Sequence, residues 1–507
     1  MVKPKSFRPW NPEQTLLFPP SPVEWLPENH LVFFLLDLAA ELDLEAIHAI
    51  YRQKDPRGEK AYDPRMMVVL LLYAYCVGLP SSRKIEKACW EDAAFRVLTG
   101  NQQPDHSRIS DFRRRHLVAL AGLFVQVLRL CQKAGLVSLG QVALDGTKIR
   151  ANASKHKAMS HERMLKSERQ LEAEMRALLR KAEIIDAQED GEYGKGKRGD
   201  ELPEELQRRS SRLEWIRKAK AELEAEAAAA KVRQREEQAE AAEQEAAEAE
   251  ASGDEQVGKR AARRARGARK RADDAQKLAI ETARAAGLES PALTADRDPL
   301  AMPNRQLPTD AAGDPKPSAQ RNFTDPDSHI LKGSDGWIQG YNAQAAVDGD
   351  HQVIVAIGVS NQPSDAVHLL PMLGRIKANT GRLPKALIAD AGYCRTANLE
   401  ACEEKGLEAY ISTSRQQHGQ RPRPSRGRAP RGLDARGRMN RKLRSKAGQA
   451  IYALRKTVVE PVFGQIKGAR GLDRFRLRGL EKVDGEWALM ATTHNLLKLF
   501  RASLATG

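Results

Sequence analysis

From about residue 28 to 135, apolar residues return at helical spacing, in Leu31–Leu42, Met66–Val77, Lys84–Phe95 and Leu117–Leu130. The pattern predicts an all-helical region, with helix starts at Ser81-Ser82 and at Ser107. The longest apolar run, Met66 to Leu79, is too short to span a bilayer and reads as a buried helix. Past residue 135 the period changes. Val-Ala-Leu before Asp145 and Ala-Leu-Ile-Ala before Asp390 read as short buried strands, each ending on a carboxylate. Gly340–Val347 and Gln352–Val359 read as consecutive strands joined by the turn Asp348-Gly349-Asp350. A helix over Asp365–Ile376 follows, then the strand Ala386–Ala389, a helix over Ala397–Lys405 and a strand over Glu408–Ser412. Ala447–Gly468 and Gly485–Arg501 are predicted helical.

Between about Lys155 and Gly287 aromatics nearly vanish and Ala, Glu, Lys and Arg dominate, as in long helices or coiled coils. Breaks are expected near Asp190–Pro203 and Ser252–Gly258. Glu236–Glu255 holds nine acidic residues and no basic one, and Lys259–Arg271 holds eight basic residues and no acidic one. Folding back at Ser252–Gly258 would set these blocks against each other, which predicts an antiparallel helical hairpin. Disorder is the alternative, since Ala buries little. The chain thus parses as a helical, helix-turn-helix-like region (1–135), a first core strand (136–154), a helical coiled-coil insertion (155–287), an irregular linker (288–325) and the remainder of the core (326–507). With the insertion set aside, the strand–helix order is that of a ribonuclease-H-like α/β fold, a mixed sheet flanked by helices. In that order the first and fourth strands are neighbours, so Asp145 and Asp390 would meet.

Composition adds a partner. Lys and Arg number 83 against 67 Asp and Glu, a net charge of +16, which favours a polyanion such as nucleic acid. The basic segment Ser107–His116 offers Arg108, Arg113, Arg114 and Arg115 to a DNA groove, the plainer alternative being a solvated basic face. Residues 415–446 hold twelve Arg or Lys and one Asp, so binding should weaken steeply with salt. Five scattered cysteines, none in a Cys-x-x-Cys pair, argue against structural zinc and a disulfide framework. With no signal-like start, a cytoplasmic, nucleoid-associated protein is expected.

The candidate chemistry rests on Asp145, Asp390 and Glu460. Several carboxylates are what Mg²⁺ needs, a hard cation that shares its oxygen ligands with phosphate. Two such ions roughly 4 Å apart activate the attacking oxygen and stabilise the leaving one in phosphodiester cleavage. Two Mg²⁺ ions are therefore expected, with Mn²⁺ as a substitute. On a helical wheel Lys456 and Lys467 fall beside Glu460, while Arg455 falls about 140° away. Pro461 predicts a kink. Lys148 and Arg150, just past Asp145, are candidates for phosphate contact.

These motifs resemble bacterial insertion-sequence transposases of the DDE type, in the group with an Asp-Gly-Thr first motif and a Tyr-Arg-Glu-Lys signature. Tyr452, Arg455, Glu460 and Lys467 stand for that signature, though four residues rather than three separate Arg455 from Glu460, and Lys456 takes the expected basic position. Tyr62–His116 resembles the amino-terminal domain of these proteins. Gly340–Gln344, Asp390–Tyr393 and Arg474–Gly479, with Arg474 and Arg478, through His494-Asn495 resemble the catalytic half. The resemblance implies binding of double-stranded transposon ends and target, strand cleavage, joining of the freed 3′-hydroxyl, and a dimer or higher assembly. A helical insertion between the first two aspartates departs from members with a β-rich insertion after the second, so no hairpin intermediate is implied. An architectural DNA-binding protein with an inactive core, and a nuclease that does not join, are the alternatives.

Overall fold

A computed structural model describes residues 22–52, 61–193, 204–251, 255–288, 300–333, 336–414, 424–425, 430 and 432–506. The expected breaks at Asp190–Pro203 and Ser252–Gly258 and much of the basic segment 415–446 lie wholly or partly outside these residues. The chain forms two compact units. One comprises residues 1–136, 465–472 and 488–507, and the other residues 137–464 and 473–487. Residues 465–472 and 488–507, expected with the core, group instead with the amino-terminal helices.

In the first unit run α1 (Leu31–Glu41), α2 (Glu45–Arg52), α3 (Pro64–Cys76), α4 (Ser82–Glu91), α5 (Ala93–Leu98), α6 (His106–Arg115) and α7 (Leu117–Lys133). Asp63 caps α3 by accepting from the Arg65 N–H at 2.7 Å, and Pro64 sits where no N–H is needed. From Met67 to Cys76 every side chain of α3 is buried, so this helix is apolar all round and central. The single helix expected over Lys84–Phe95 is two, because Asp92 leaves helical geometry and caps α5 through the Ala94 and Phe95 amides. Asp105, rather than Ser107, caps α6, accepting from the Ser107 and Arg108 amides at 3.0 Å. Arg470 is buried and donates to Thr493 Oγ1 at 2.9 Å, which ties the later segments of this unit together.

The second unit is built on strands β1 (Gln141–Arg150), β2 (Ala158–Ser160), β3 (Gln320–Asn322), β4 (His329–Gly333), β5 (Gly336–Asp348), β6 (Ile354–Ser360), β7 (Ala386–Ala389) and β8 (Glu408–Ile411). In the mixed sheet β5 pairs antiparallel with β1, and β1, β7 and β8 run parallel in that order. β6 and β4 both pair with β5, and β2 and β3 form a separate two-stranded ribbon. β5 to β8 agree with the expected strands to within a few residues. β1 does not end at Asp145: it continues to Arg150, paired with β5 as far as Arg150 opposite Gly340. Only its pairing with β7 stops, at Leu144 opposite Ala389. On β4, burial and the Arg305 charge push the His329 imidazole down to about 4, against a pull from Asp327. Unfolded, that ring titrates near 6.5, so between the two values the unfolded chain binds more protons. The stability His329 contributes is therefore present above about pH 6.5 and lost towards pH 4. Unfolding midpoints at pH 7 and pH 5 should show a larger acid loss in the parent than in His329→Leu.

Helices α8 (His161–Tyr193), α9 (Glu204–Ala251) and α10 (Glu255–Ala285) leave the core between β2 and β3. Met164 and Leu171 of α8 pack on Leu213, Ile216 and Ala219 of α9. Further along, Val232 meets Ala275 and Ala279, and Ala239 meets Ala268 and Ala272, so α9 and α10 run antiparallel. The buried alanines of α10, from Ala261 to Ala283, recur mostly at alternating spacings of four and three. Expected charge blocks do face each other, as in Arg269 on Glu243 at 2.7 Å and Arg264 on Glu245 at 3.5 Å. These pairs are exposed and contribute little; the alanine seam sets the packing. Part of the linker is covered too, with Leu307 and Ala319 against Leu223 and Ala227.

The rest of the unit comprises α11 (Leu369–Thr380), α12 (Thr396–Glu404), α13 (Ala435–Leu443), α14 (Lys446–Ala453) and α15 (Arg455–Phe463). Finally α16 (Leu480–Thr506) begins here and ends among the residues of the first unit. The helix expected over Ala447–Gly468 is broken at Leu454, and Gly464–Ala469 is wound as a π-helical turn after Pro461.

Candidate active site

The sheet brings two distant aspartates together. Leu144 of β1 and Ala389 of β7 are direct partners, so Asp145 and Asp390 are the next residues on adjacent parallel strands. Asp390 steps out of β7 and caps a short turn, accepting from the Gly392 N–H at 2.8 Å. The Asp145 carboxylate, 16% exposed, accepts from its neighbour Gly146 N–H at 2.8 Å and from Arg455 Nη1 at 2.8 Å. Arg455 Nη2 donates in turn to Glu460 Oε1 at 3.0 Å. One guanidinium thus clamps the first and third carboxylates.

The helical wheel misplaced this cation. A wheel gives the direction of each Cβ, but Arg455 stands at the very start of α15 and its long side chain reaches round to Glu460. Lys456, assigned the basic position by the wheel, is exposed, and the π-helical turn carrying Lys467 does not follow the 100° step. Tyr452 is held by Ser412 and Arg455, and burial raises its phenol above the ordinary value.

Burial pushes the Asp145 carboxyl up to about 7; Arg455 opposes the shift, while the Asp390 and Asp365 charges add to it. Asp365 was read from the sequence as a helix start, yet α11 begins only at Leu369. Its Oδ1 accepts from Asn342 Nδ2 at 2.7 Å, Gln344 Nε2 at 2.9 Å and Lys148 Nζ at 3.3 Å. Gln344 also accepts from the buried Tyr393 hydroxyl. This polar floor lies against the glycine of the first motif. A Cβ at Gly146 would stand 2.3 Å from Gln344 Nε2, 2.8 Å from Asp365 Oδ1 and 3.0 Å from Asn342 Oδ1. Gly146→Ala should therefore cost about 1–3 kcal/mol of stability, read by urea unfolding. An unchanged midpoint would refute this close approach.

Donor type fits a hard divalent cation: Asp145, Asp390 and Glu460 offer only oxygen, and Asp145 is buried beside the Asp390 and Asp365 charges, a repulsion that a bound cation would relieve. In the present arrangement, among the described residues, no three acidic, histidine or cysteine groups are gathered closely enough to hold an ion. Arg455 lies between two of the carboxylates instead.

Of the remaining predicted residues, Lys148 is mostly buried and turned to Asp365, not to solvent. Arg150 is exposed and pairs with Asp473 at 3.5 Å. Arg474 is exposed, and Arg478 donates to the Asn152 carbonyl at 3.0 Å. The loop bearing both is fixed by buried Glu486, which accepts from the Arg476 and Leu477 amides. In the first unit, Arg108, Arg114 and Arg115 are exposed along α6. Arg113 is not available to DNA: it is buried and donates to the Tyr75 hydroxyl at 3.1 Å and the Pro80 carbonyl at 2.7 Å. Satisfying those two acceptors is its work.

The sheet thus sets Asp145 and Asp390 at the ends of one register on β1 and β7, and Arg455 ties the helical Glu460 to Asp145. A family model described as Transposase DDE domain matches residues 310–496, and one described as Transposase domain (DUF772) matches residues 21–115. Asp390 and Glu460 fall inside the first match; Asp145 precedes it. This chain belongs to the DDE transposases of insertion sequences. No curated protein and no solved structure matches it.

Proposed function

We propose that this protein binds the inverted-repeat ends of its own element, cleaves the strands there and joins the freed 3′-hydroxyl to target DNA. The observation that carries the reading is the placement of Asp145 beside Asp390 across β1 and β7, with Glu460 linked to Asp145 through Arg455. The core is read as ribonuclease-H-like and the helical excursion as a coiled coil. Asp145, Asp390 and Glu460 would hold divalent ions, with Mg²⁺ the expected metal. Bound there, such ions would supply charge to the attacking and departing oxygens. The protein's own part is to orient these carboxylates and to keep Asp145 in a dry, crowded setting. Arg455, released from Asp145 and Glu460, is positioned to meet a phosphate, and the exposed arginines of α6 and of the 474–478 loop would hold the duplex. Pairing of two ends implies a dimer or higher assembly, acting in the cytoplasm. Among the described residues no helix is long and apolar enough to cross a membrane.

The test uses DNA flanking the reading frame, with its terminal repeats, as substrate for purified protein and Mg²⁺. Cleaved ends joined to a target plasmid support the reading. Cutting without joining would make the protein a nuclease, and inactivity on cognate ends with Mg²⁺ present would leave only a DNA-binding role.

A further inference from the structure

A cavity of about 1170 Å³ lies between the first part of α9 and the β2–β3 ribbon, and none of the three carboxylates lines it. Six Lys or Arg side chains line it against one carboxylate, Glu222, and Arg321 takes up that carboxylate at 3.0 Å. Among the α9 residues that line it, Arg208, Arg212, Trp215, Lys218 and Glu222 follow steps of three or four that keep to one helical face. The neighbouring cations of α9 are used differently. Arg209, Arg217 and Lys220 pair with Glu174, Glu172 and Glu168 of α8, which neutralises that side. Lys157 and Arg478 close the groove from the core.

One residue does not suit a merely solvated basic face. Trp215 is 64% exposed and lines the cavity, while nearby Leu213 and Ile216 are buried in the cluster with Met164 and Leu171 of α8, Ile216 also forming part of the cavity wall. Cations along a groove with an aromatic plane among them are the arrangement that holds a nucleic-acid strand, phosphates on the charges and a base on the ring. Arg478 hydrogen-bonds to Asn152, seven residues beyond Asp145, so the groove's edge lies on the order of 20 Å along the extended chain from the candidate active site.

We infer that the groove between α9 and the β2–β3 ribbon binds a DNA strand, with phosphates on Lys157, Arg212, Lys218 and Arg478 and an unstacked base on Trp215. The insertion thereby becomes a DNA-holding arm. The inference rests on the reading above that the substrate is DNA.

Two measurements on the full chain test it. In the first, single-stranded oligonucleotides carrying 5-iododeoxyuridine are photocrosslinked and the labelled peptide is mapped. In the second, anisotropy gives affinity against salt for the parent, Trp215→Ala and Arg212→Glu/Lys218→Glu. The expected results are a crosslink at Trp215, about tenfold weaker single-strand binding for Trp215→Ala at unchanged salt slope, and a slope reduced by about 1.4 for the double variant. All three positions are exposed, and circular dichroism checks that each variant is folded. Parent-like affinity and slope in both variants, with no crosslink on α9, overturns the inference while leaving cleavage by the parent to support the transposase reading. A parent that binds no DNA overturns both. Variants that change the oligomeric state but not DNA affinity would also overturn it, assigning the groove to a second copy of the chain.

Discussion

Alanine at Asp145, Asp390 or Glu460 is expected to lower strand cleavage by on the order of 10³-fold or more while leaving DNA binding largely intact. Each removes an oxygen ligand from a reaction that builds negative charge, and none belongs to the exposed arginines proposed to hold the duplex. Loss by unfolding is separable, because Asp145 is a buried carboxylate crowded by Asp390 and Asp365. Relief of that repulsion is set against the loss of the Arg455 ion pair in Asp145→Ala and of the Gly392 cap in Asp390→Ala, so each variant should stay folded and melt only modestly below the parent. Nicking of a labelled end by each variant, beside its thermal midpoint, checks both halves. Wild-type cutting by any one of them would remove that residue from the site.

Trp487→Ala should be the most costly single change in the core of the second unit, at about 3–5 kcal/mol. The indole is fully buried, lies near the Phe463 ring at a centroid distance of 6.5 Å, and donates from Nε1 to the Gln344 carbonyl at 3.0 Å. Truncation opens a cavity and withdraws a donor from the strand whose side chain supports Asp365. Trp487→Phe keeps most of the volume and should lose far less. The two urea midpoints give the comparison, and equal midpoints for Trp487→Ala and the parent would contradict this packing.

The sequence could be read where the signal is local. Short apolar runs placed β7 and β8, the Asp-Gly-Asp turn joined β5 to β6, and the opposed charge blocks anticipated the α9–α10 hairpin. The neighbourhood of Asp145 and Asp390 followed from the adjacent first and fourth strands of the expected ribonuclease-H-like order. What could not be read depends on side-chain reach and long-range burial. Arg113 and Arg114 are adjacent arginines on one helix, yet one is buried against Pro80 and the other exposed beside Asp111. Asp365 looked like a capping residue because its partners Asn342, Gln344 and Lys148 are distant in sequence. Arg455 was set aside by a wheel that gives only Cβ directions, whereas its long side chain reaches from the first position of α15 round to Glu460. The Gly146 motif carried a usable hint: a glycine directly after a buried aspartate, in a strand, signals something pressing close.

The ribbon of β2 and β3 joins Ala158 to Asn322 and Ser160 to Gln320, so the polypeptide leaves the core and returns to it at adjacent points. The helices beyond it can lengthen, shorten or change composition while the ribbon and the 300–305 segment, bonded to Ser360, Asn361 and Arg375, keep both ends of the excursion fixed to the core. Closing a longer excursion costs only a logarithmically growing entropy, about 0.6 kcal/mol per doubling. The same hearth can therefore carry arms of different span, and evolution is free to retune what the arm grips while the carboxylates stay where they are.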